Sequence, residues 1–265
     1  MIDKKMIVVD LDGTLLNANG SCSRKTKKYL KKLRELGYII VIATGRVLKS
    51  AIDVTDGAEF ANYIIANAGA LIYDMNCKKI IMSNNISLND TKMILSHYND
   101  EVDYINICDL FYHNRCLGNM KIMSIYEKII PNLNQFLSNC EDILHITIKL
   151  KNNELVDKYY NKLKTTNLNI IVMQDSLSEL KWLEIFNNGV SKYNAIKIIS
   201  KIENIDNDNI IAFGDGLNDI DMIRMCGVGV SMGNALDEVK LVSNYTTLSH
   251  NEDGVIYFLR KYLQS

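Results

Sequence analysis

Two acidic clusters stand out because each follows a short apolar run. Asp10 and Asp12 lie in "VVDLDGTLLN", and Asp215, Asn218 and Asp219 lie in "GDGLND", directly after Ile210–Phe213. Two carboxylates at i and i+2, followed by Gly13 and Thr14, could open a calcium loop. An EF-hand's third ligand is missing, however, and its twelfth position is Ser21, so that reading fails. For the first cluster alone, a plain Asp-Gly turn is the alternative. A third apolar run, Tyr38–Ala43, ends on Thr44-Gly45-Arg46. In an open α/β sheet, ligands bind at the carboxyl ends of the strands. Three polar strand ends, distant in sequence, would therefore converge on one site, which favours a functional reading of all three.

The elements that must position these groups are legible at both ends of the chain. Met6–Val9 is a buried strand leading to Asp10. A helix from about Arg24 to Leu36 follows, with Ser23 as its N-cap and Gly37 as its stop. Tyr63–Ala66 ends on Asn67, and a hairpin follows, Leu71–Tyr73 and Lys79–Met82 around "DMNC". Near the C-terminus, the helix in "VSKYNAIKIISKIE", the strand Ile210–Phe213, a short strand at Gly227–Ser231 and a helix from about Asp253 to Leu263 restore the alternation. The pattern predicts one α/β, doubly wound (Rossmann-like) parallel-sheet core built from residues 1–82 and 184–265. Residues 83–183 mix helices (around Leu88–His97 and Leu155–Leu163) with strands such as "HITIKL" and "NIIVM", and read as an inserted α+β cap domain.

Composition sets the frame. The 265 residues are 48% hydrophobic and 23% charged, as in a globular protein, and suffice for a core plus a smaller domain. Thirty basic residues against 31 acidic ones give a net charge of -1, with no basic excess to suggest nucleic-acid or membrane-surface binding. The basic run Arg24–Lys32 reads as the solvated face of an amphipathic helix. Six scattered cysteines form no C-x-x-C pair, and the four histidines show no ligand spacing, so the expectation is reduced thiols in a cytoplasmic protein. No signal peptide and no membrane-length apolar run is evident.

"DLDGTLLN", "TGR", the lysine of "GVSKYNAI" and "GDGLND", in that order, resemble the motifs of the haloacid dehalogenase superfamily of phosphatases. The tail "GVGVSMGNALDEVK" followed by "HNEDGV" resembles its Cof-type branch, which carries a large α/β cap between the second and third motifs. The resemblance implies a Mg²⁺-dependent phosphoric monoester hydrolase acting on a small phosphorylated metabolite through an aspartyl-phosphate. It makes Asp10 the nucleophile and Asp12 the general acid/base. Thr44 and Lys192 would hold the phosphoryl group, with Gly45 and Arg46 beside the substrate and Asn218 orienting the phosphate or Lys192. Asp215, Asp10, the main-chain carbonyl of Asp12 and, directly or through water, Asp219 would bind the metal. Asp12 would enter the first step protonated, a state that nearby carboxylates and partial burial favour.

Several readings stay open at this point. By its position alone Lys192 is a surface lysine near a helix start; the "GVSK" match argues otherwise. Arg46 is either an ordinary helix-start residue or a substrate-facing one. A substrate contact by Asn67, one residue early against the branch's Asn-Gly loop, is not favoured. His113 and Arg115, in "LFYHNRCLGNMK", lie either in a solvated loop or near the leaving group. A phosphomutase and a non-catalytic phospho-ligand-binding regulator are the alternative functions. The sequence names neither the substrate nor the oligomeric state.

Overall fold

A computed structural model describes residues 5–122, 124–140, 142–174 and 180–263. The chain starts on β1 (Met6–Val9), whose four residues are all buried, as a central strand requires. The N-cap expected at Ser23 forms: its Oγ accepts the Thr26 N–H at 3.0 Å and opens α1 (Arg24–Glu35). That helix buries Thr26, Leu30 and Leu33 and leaves Arg24, Lys25, Lys28, Lys31 and Lys32 exposed, so the basic run is a solvated face. Then come β2 (Ile39–Ala43), α2 (Leu48–Val54), β3 (Tyr63–Ala66), β4 (Leu71–Asp74) and β5 (Lys79–Ser83). The middle stretch carries α3 (Leu88–Leu95), β6 (Val102–Cys108), β7 (His113–Gly118), β8 (Glu127–Ile129), α4 (Leu133–Asn139), β9 (His145–Leu150), α5 (Asn153–Leu163), β10 (Leu168–Gln174) and β11 (Lys181–Asn187). The chain closes with α6 (Lys192–Glu203), β12 (Ile210–Gly214), α7 (Ile220–Met225), β13 (Val228–Ser231), α8 (Asp237–Val242), β14 (Tyr245–Thr246) and α9 (Gly254–Tyr262).

Two compact units result. One runs to Met82 and resumes at Ser191; the other is Ser83–Val190. The expected boundary after residue 183 would cut through β11. That strand pairs with β10 and β9 and buries Leu183 and Ile185 in the second unit's core, so the boundary lies at 190.

In the first unit eight strands form one sheet in the order β14-β13-β12-β1-β2-β3-β4-β5. The pairings from β14 to β3 are parallel, and β4 turns back antiparallel to β3. The chain winds outward from β1 through β2 and β3, then returns to lay β12 on the other side of β1. This reversal of strand order is a topological switch point, where an open α/β sheet leaves a crevice at its carboxyl edge. Asp10, Thr44 and Asp215 all follow directly on strands flanking that crevice.

The second unit is an antiparallel sheet, β10-β11-β9-β6-β7-β8, with a parallel β7–β8 pairing at one edge. One face presents Ile105, Ile107, Ile146, Ile148, Leu183 and Ile185 to buried residues of α3, α4 and α5. Alternation places Asn106, Cys108, His145, Thr147 and Glu184 on the opposite face. Among the described residues no helix is long and apolar enough to cross a membrane.

Close packing between α7 and β13 depends on Gly229. A Cβ built there would lie 1.9 Å from the Ile223 carbonyl oxygen. Gly229→Ala is expected to cost about 1–3 kcal/mol by overpacking, measured by denaturant unfolding of the full chain. Unchanged stability would contradict this packing.

Candidate active site

The carboxyl end of β1 is pinned to β12 by the Asp10 N–H, which donates to the Phe213 carbonyl at 3.1 Å. The chain then turns within Leu11–Leu15, where Gly13 takes φ +74. A Cβ on Gly13 would lie 2.1 Å from Asp215 Oδ2, so both the backbone conformation and the space demand glycine. Leu15 N–H closes the turn onto the Asp10 carbonyl at 3.2 Å. The turn sends its two carboxylates to different surroundings. Asp10 is 5% exposed, whereas the Asp12 side chain is 57% exposed.

Lys192 is the first residue of α6, after Ser191, whose Oγ caps the helix by accepting the Asn194 N–H at 3.1 Å. The position faces the positive end of the helix dipole and is 1% exposed, two reasons to disfavour a charge there. Two carboxylates answer both: Lys192 Nζ donates to Asp10 Oδ1 and Asp219 Oδ1, each at 2.6 Å. Burial alone would push the ammonium down, but Asp10 and Asp219 outweigh it and hold Lys192 above the ordinary lysine value. Asp219 Oδ2 accepts the N–H groups of Asp215 and Gly216, both at 3.0 Å. Asp219 therefore fixes both the lysine and the loop carrying Asp215.

Asp215 Oδ1 accepts the buried Thr14 hydroxyl at 3.0 Å. Burial first and Asp219 second push its carboxyl up to about 6. Burial also holds Asp10 well above the ordinary range, against the pull of Lys192. The common cause is a surplus of negative charge in a dry place. One oxygen each of Asp10, Asp215 and Asp219 lie within 4.8 Å of one another, so three carboxylates face the single Lys192 ammonium. Such a set suits a hard divalent cation with oxygen ligands. Asp219 is engaged by Lys192 and the loop amides, and Asp215 by Thr14 at 3.0 Å and Asn234 Nδ2 at 3.5 Å, so a cation here would share these oxygens with the protein's own donors.

Asp12 is not in this cluster. Its two oxygens receive Arg46 Nε and Nη2 at 2.7 and 2.6 Å, and Arg46 Nη1 donates to Ser50 Oγ at 2.9 Å. The expected partial burial of Asp12 among carboxylates is thus corrected: its side chain turns out toward α2, and only its main-chain carbonyl remains for a metal. Arg46 is more than a bare helix-start residue, because it clamps Asp12.

Thr44 is buried and accepts the Arg46 N–H on its Oγ1 at 3.2 Å, while its carbonyl takes the Ala68 N–H at 3.0 Å. Asn67 N–H donates to the Arg46 carbonyl at 2.9 Å. The segment Asn67–Gly69, with φ of 48, 53 and 110 at successive residues, thus splints the Thr44–Arg46 loop through its backbone. Gly45 lies under Asn218; a Cβ there would come 3.8 Å from Asn218 Nδ2.

Three further residues of this site had no role in the motif reading. Thr14 binds Asp215, and Asn234 Nδ2 donates to the Gly13 carbonyl at 2.8 Å. His250 Nδ1 meets the Leu16 carbonyl at 2.7 Å, and its N–H donates to Asn234 Oδ1 at 2.9 Å. "SMGNA" and "HNEDG" thus anchor the Asp10–Leu16 loop. In the second unit, His113 and Arg115 lie on β7 rather than in a solvated loop. Arg115 is 2% exposed and spends its nitrogens on Asn106, Glu127 and the carbonyls of Asn119 and Lys121, so its role there is structural.

A family model for haloacid dehalogenase-like hydrolases matches residues 7–259, which include every element of this site. The chain belongs to that hydrolase family. Among curated relatives, a 5-amino-6-(5-phospho-D-ribitylamino)uracil phosphatase of Bacillus subtilis is 27% identical over 97% of each chain. Among solved structures, a Thermotoga maritima protein superposes with TM-score 0.82 at 26% identity, covering 97% of both chains. A haloacid dehalogenase-like hydrolase of Bacteroides thetaiotaomicron gives TM-score 0.81 at 24% identity, covering 98% of this chain and 100% of its own. The family's Rossmann-like core and cap are the architecture described above.

The surplus charge in this hydrolase has a measurable cost. With Asp215 raised to about 6 from 3.8, its contribution to stability is fully present below the lower value and is lost as pH rises through the upper one. In chelator, Asp215→Asn is expected to melt above the native chain at neutral pH, by about 1–2 kcal/mol. The gap should close toward pH ~4, and the variant should lose stabilisation by added Mg²⁺. Equal melting of the two proteins at neutral pH would contradict the charge surplus.

Proposed function

We propose that the chain is a Mg²⁺-dependent phosphatase of small phosphate monoesters, with Asp10 carrying the phosphoryl group between two half-reactions. The observation that carries this reading is the Asp10–Lys192–Asp219 chain of contacts beside Asp215 at the carboxyl ends of β1 and β12. A nucleophilic carboxylate, a buried ammonium and a metal-ready acidic pair are what phosphoryl transfer to an aspartate requires. Bound Mg²⁺ would supply the positive charge that cancels repulsion between the Asp10 carboxylate and a phosphate dianion.

An Asp10 oxygen attacks phosphorus, and the bond from phosphorus to the ester oxygen breaks. Asp12, ionised while Arg46 holds it, takes up a proton from solvent on leaving the clamp and gives it to that oxygen, and the alcohol leaves. Asp12, now a carboxylate, takes a proton from a water that attacks the aspartyl-phosphate, releasing inorganic phosphate and restoring Asp10. Lys192 and the Thr44 hydroxyl hold the phosphoryl oxygens, and Asn218 and Gly45 border them. Asp12 has to leave the Arg46 clamp to meet the leaving oxygen, so Arg46 sets where the acid waits between turnovers.

Support for a small substrate comes from the Bacillus subtilis relative, whose name is that of a phosphatase of a phosphorylated ribityl compound. The six cysteines are all free, consistent with a reducing, cytoplasmic setting. Phosphate release from a panel of sugar phosphates and phosphorylated cofactor precursors, with and without Mg²⁺, tests the proposal. Turnover is expected only with Mg²⁺. Asp10→Asn should abolish it with the fold intact, and Lys192→Ala should lower kcat by about 100- to 1,000-fold. Undiminished activity of Asp10→Asn would refute the assignment, as would transfer to a second hydroxyl in place of phosphate release.

A further inference from the structure

Cys108, His113 and His145 are separated in sequence but aligned in the second unit's sheet. Cys108 lies opposite His113 in the β6–β7 pairing and opposite His145 in the β6–β9 pairing. Directly opposed residues of antiparallel strands project from the same face. The three side chains therefore form a row, imidazole–thiol–imidazole, across three adjacent strands, on the face away from the Ile107–Ile146 core. Cys108 Sγ is 3.0 Å from His113 Nδ1, and the two rings meet edge-on with centroids 5.8 Å apart. One donor atom from each residue lies within 4.8 Å of the other two. Cys108 and His145 are buried, and His145 is backed by Phe186 with centroids 5.2 Å apart.

We propose that Cys108, His113 and His145 form a binding site for a borderline-soft transition-metal ion, Zn²⁺ by its donor set, that ties β7, β6 and β9 together. One thiolate and two neutral imidazoles match the ligands Zn²⁺ takes in proteins, and Mg²⁺ or Ca²⁺ would find no oxygen cage in this row. Tetrahedral Zn–S and Zn–N bonds set sulfur and nitrogen about 3.5 Å apart, so the Cys108–His113 contact has to open by only about half an ångström. Binding converts the Cys108 thiol to a thiolate: the S–H bond breaks, its electron pair stays on sulfur and forms the bond to the metal, and one proton leaves to solvent. Nothing is oxidised or reduced. Burial first, and Glu184 beside it, push the Cys108 thiol well up, so the metal–sulfur bond has to offset the cost of the thiolate; Asp109 and Glu127 beside His113 favour a cation, and Arg115 opposes it.

Co²⁺ titration of the chelator-stripped full chain tests this. One equivalent should produce a thiolate-to-cobalt charge-transfer band in the near ultraviolet, and added Zn²⁺ should bleach it. Cys108→Ser should abolish the band, whereas Cys77→Ser and Asp10→Asn should retain it. Should Cys108→Ser fail to fold, His113→Gln at the half-buried end of the row is expected to weaken binding at least about tenfold. Absence of the band in the native chain, its persistence in Cys108→Ser, or native affinity in His113→Gln would overturn the site and leave a buried thiol–imidazole hydrogen bond.

Discussion

The site in the first unit depends on one electrostatic constraint: three carboxylates and a single ammonium held together out of water. Lys192 reaches Asp10 and Asp219 at 2.6 Å each, so one ammonium answers two carboxylates of the cluster directly. The surrounding fold is arranged to keep this charge in place. β1 lies between β12 and β2, so Asp10 emerges at the switch point of the sheet. Ser191 starts α6 at the residue that must carry the ammonium, and Asp219 is oriented by the amides of the loop it serves. A cluster short of positive charge stores a demand for a divalent cation, and it is a poor contributor to stability without one. Functional pre-organisation and fold stability oppose each other at this point.

The paired aspartates show how two identical side chains acquire different chemistry. Only Leu11 separates Asp10 from Asp12, yet the Gly13 turn leaves one buried beside Lys192 and the other exposed on Arg46. Environment divides the two, as the proposed roles of nucleophile and proton carrier require. The bidentate Arg46 contact further gives Asp12 a defined position, braced through Ser50 on α2. The catalytic loop is thus tied to a neighbouring loop by a side-chain clamp, and that neighbour is in turn splinted by the backbone of Asn67 and Ala68.

Much of the first unit was legible because its signals are local. Apolar runs ending on Asp10, Thr44 and Gly214 are short buried strands, and Ser23 and Gly37 mark helix ends whatever the tertiary context. The sequence also pointed to Lys192, but through motif order; its burial against two carboxylates is a long-range fact. What stayed hidden follows from pairing. Arg46 and Asp12 are 34 residues apart, and Asn234 meets Gly13 across 221 positions. In the second unit no Gly or Pro punctuates "KWLEIFN", so local signals do not mark β11 as one strand, and its pairing to β9 assigns it. The histidines lacked ligand spacing along the chain, whereas strand register sets His113, Cys108 and His145 side by side.

The central claim is that the Asp10 carboxylate itself receives the phosphoryl group. Acid quenching during turnover of an accepted phosphoester, followed by borohydride reduction and peptide mass spectrometry, reads this directly, because reduction converts an aspartyl-phosphate to homoserine. Homoserine at position 10, and at no other aspartate, is the result the account predicts. Full phosphate release with Asp10 unmodified at every quench time, or homoserine at Asp12 or Asp215, would contradict it.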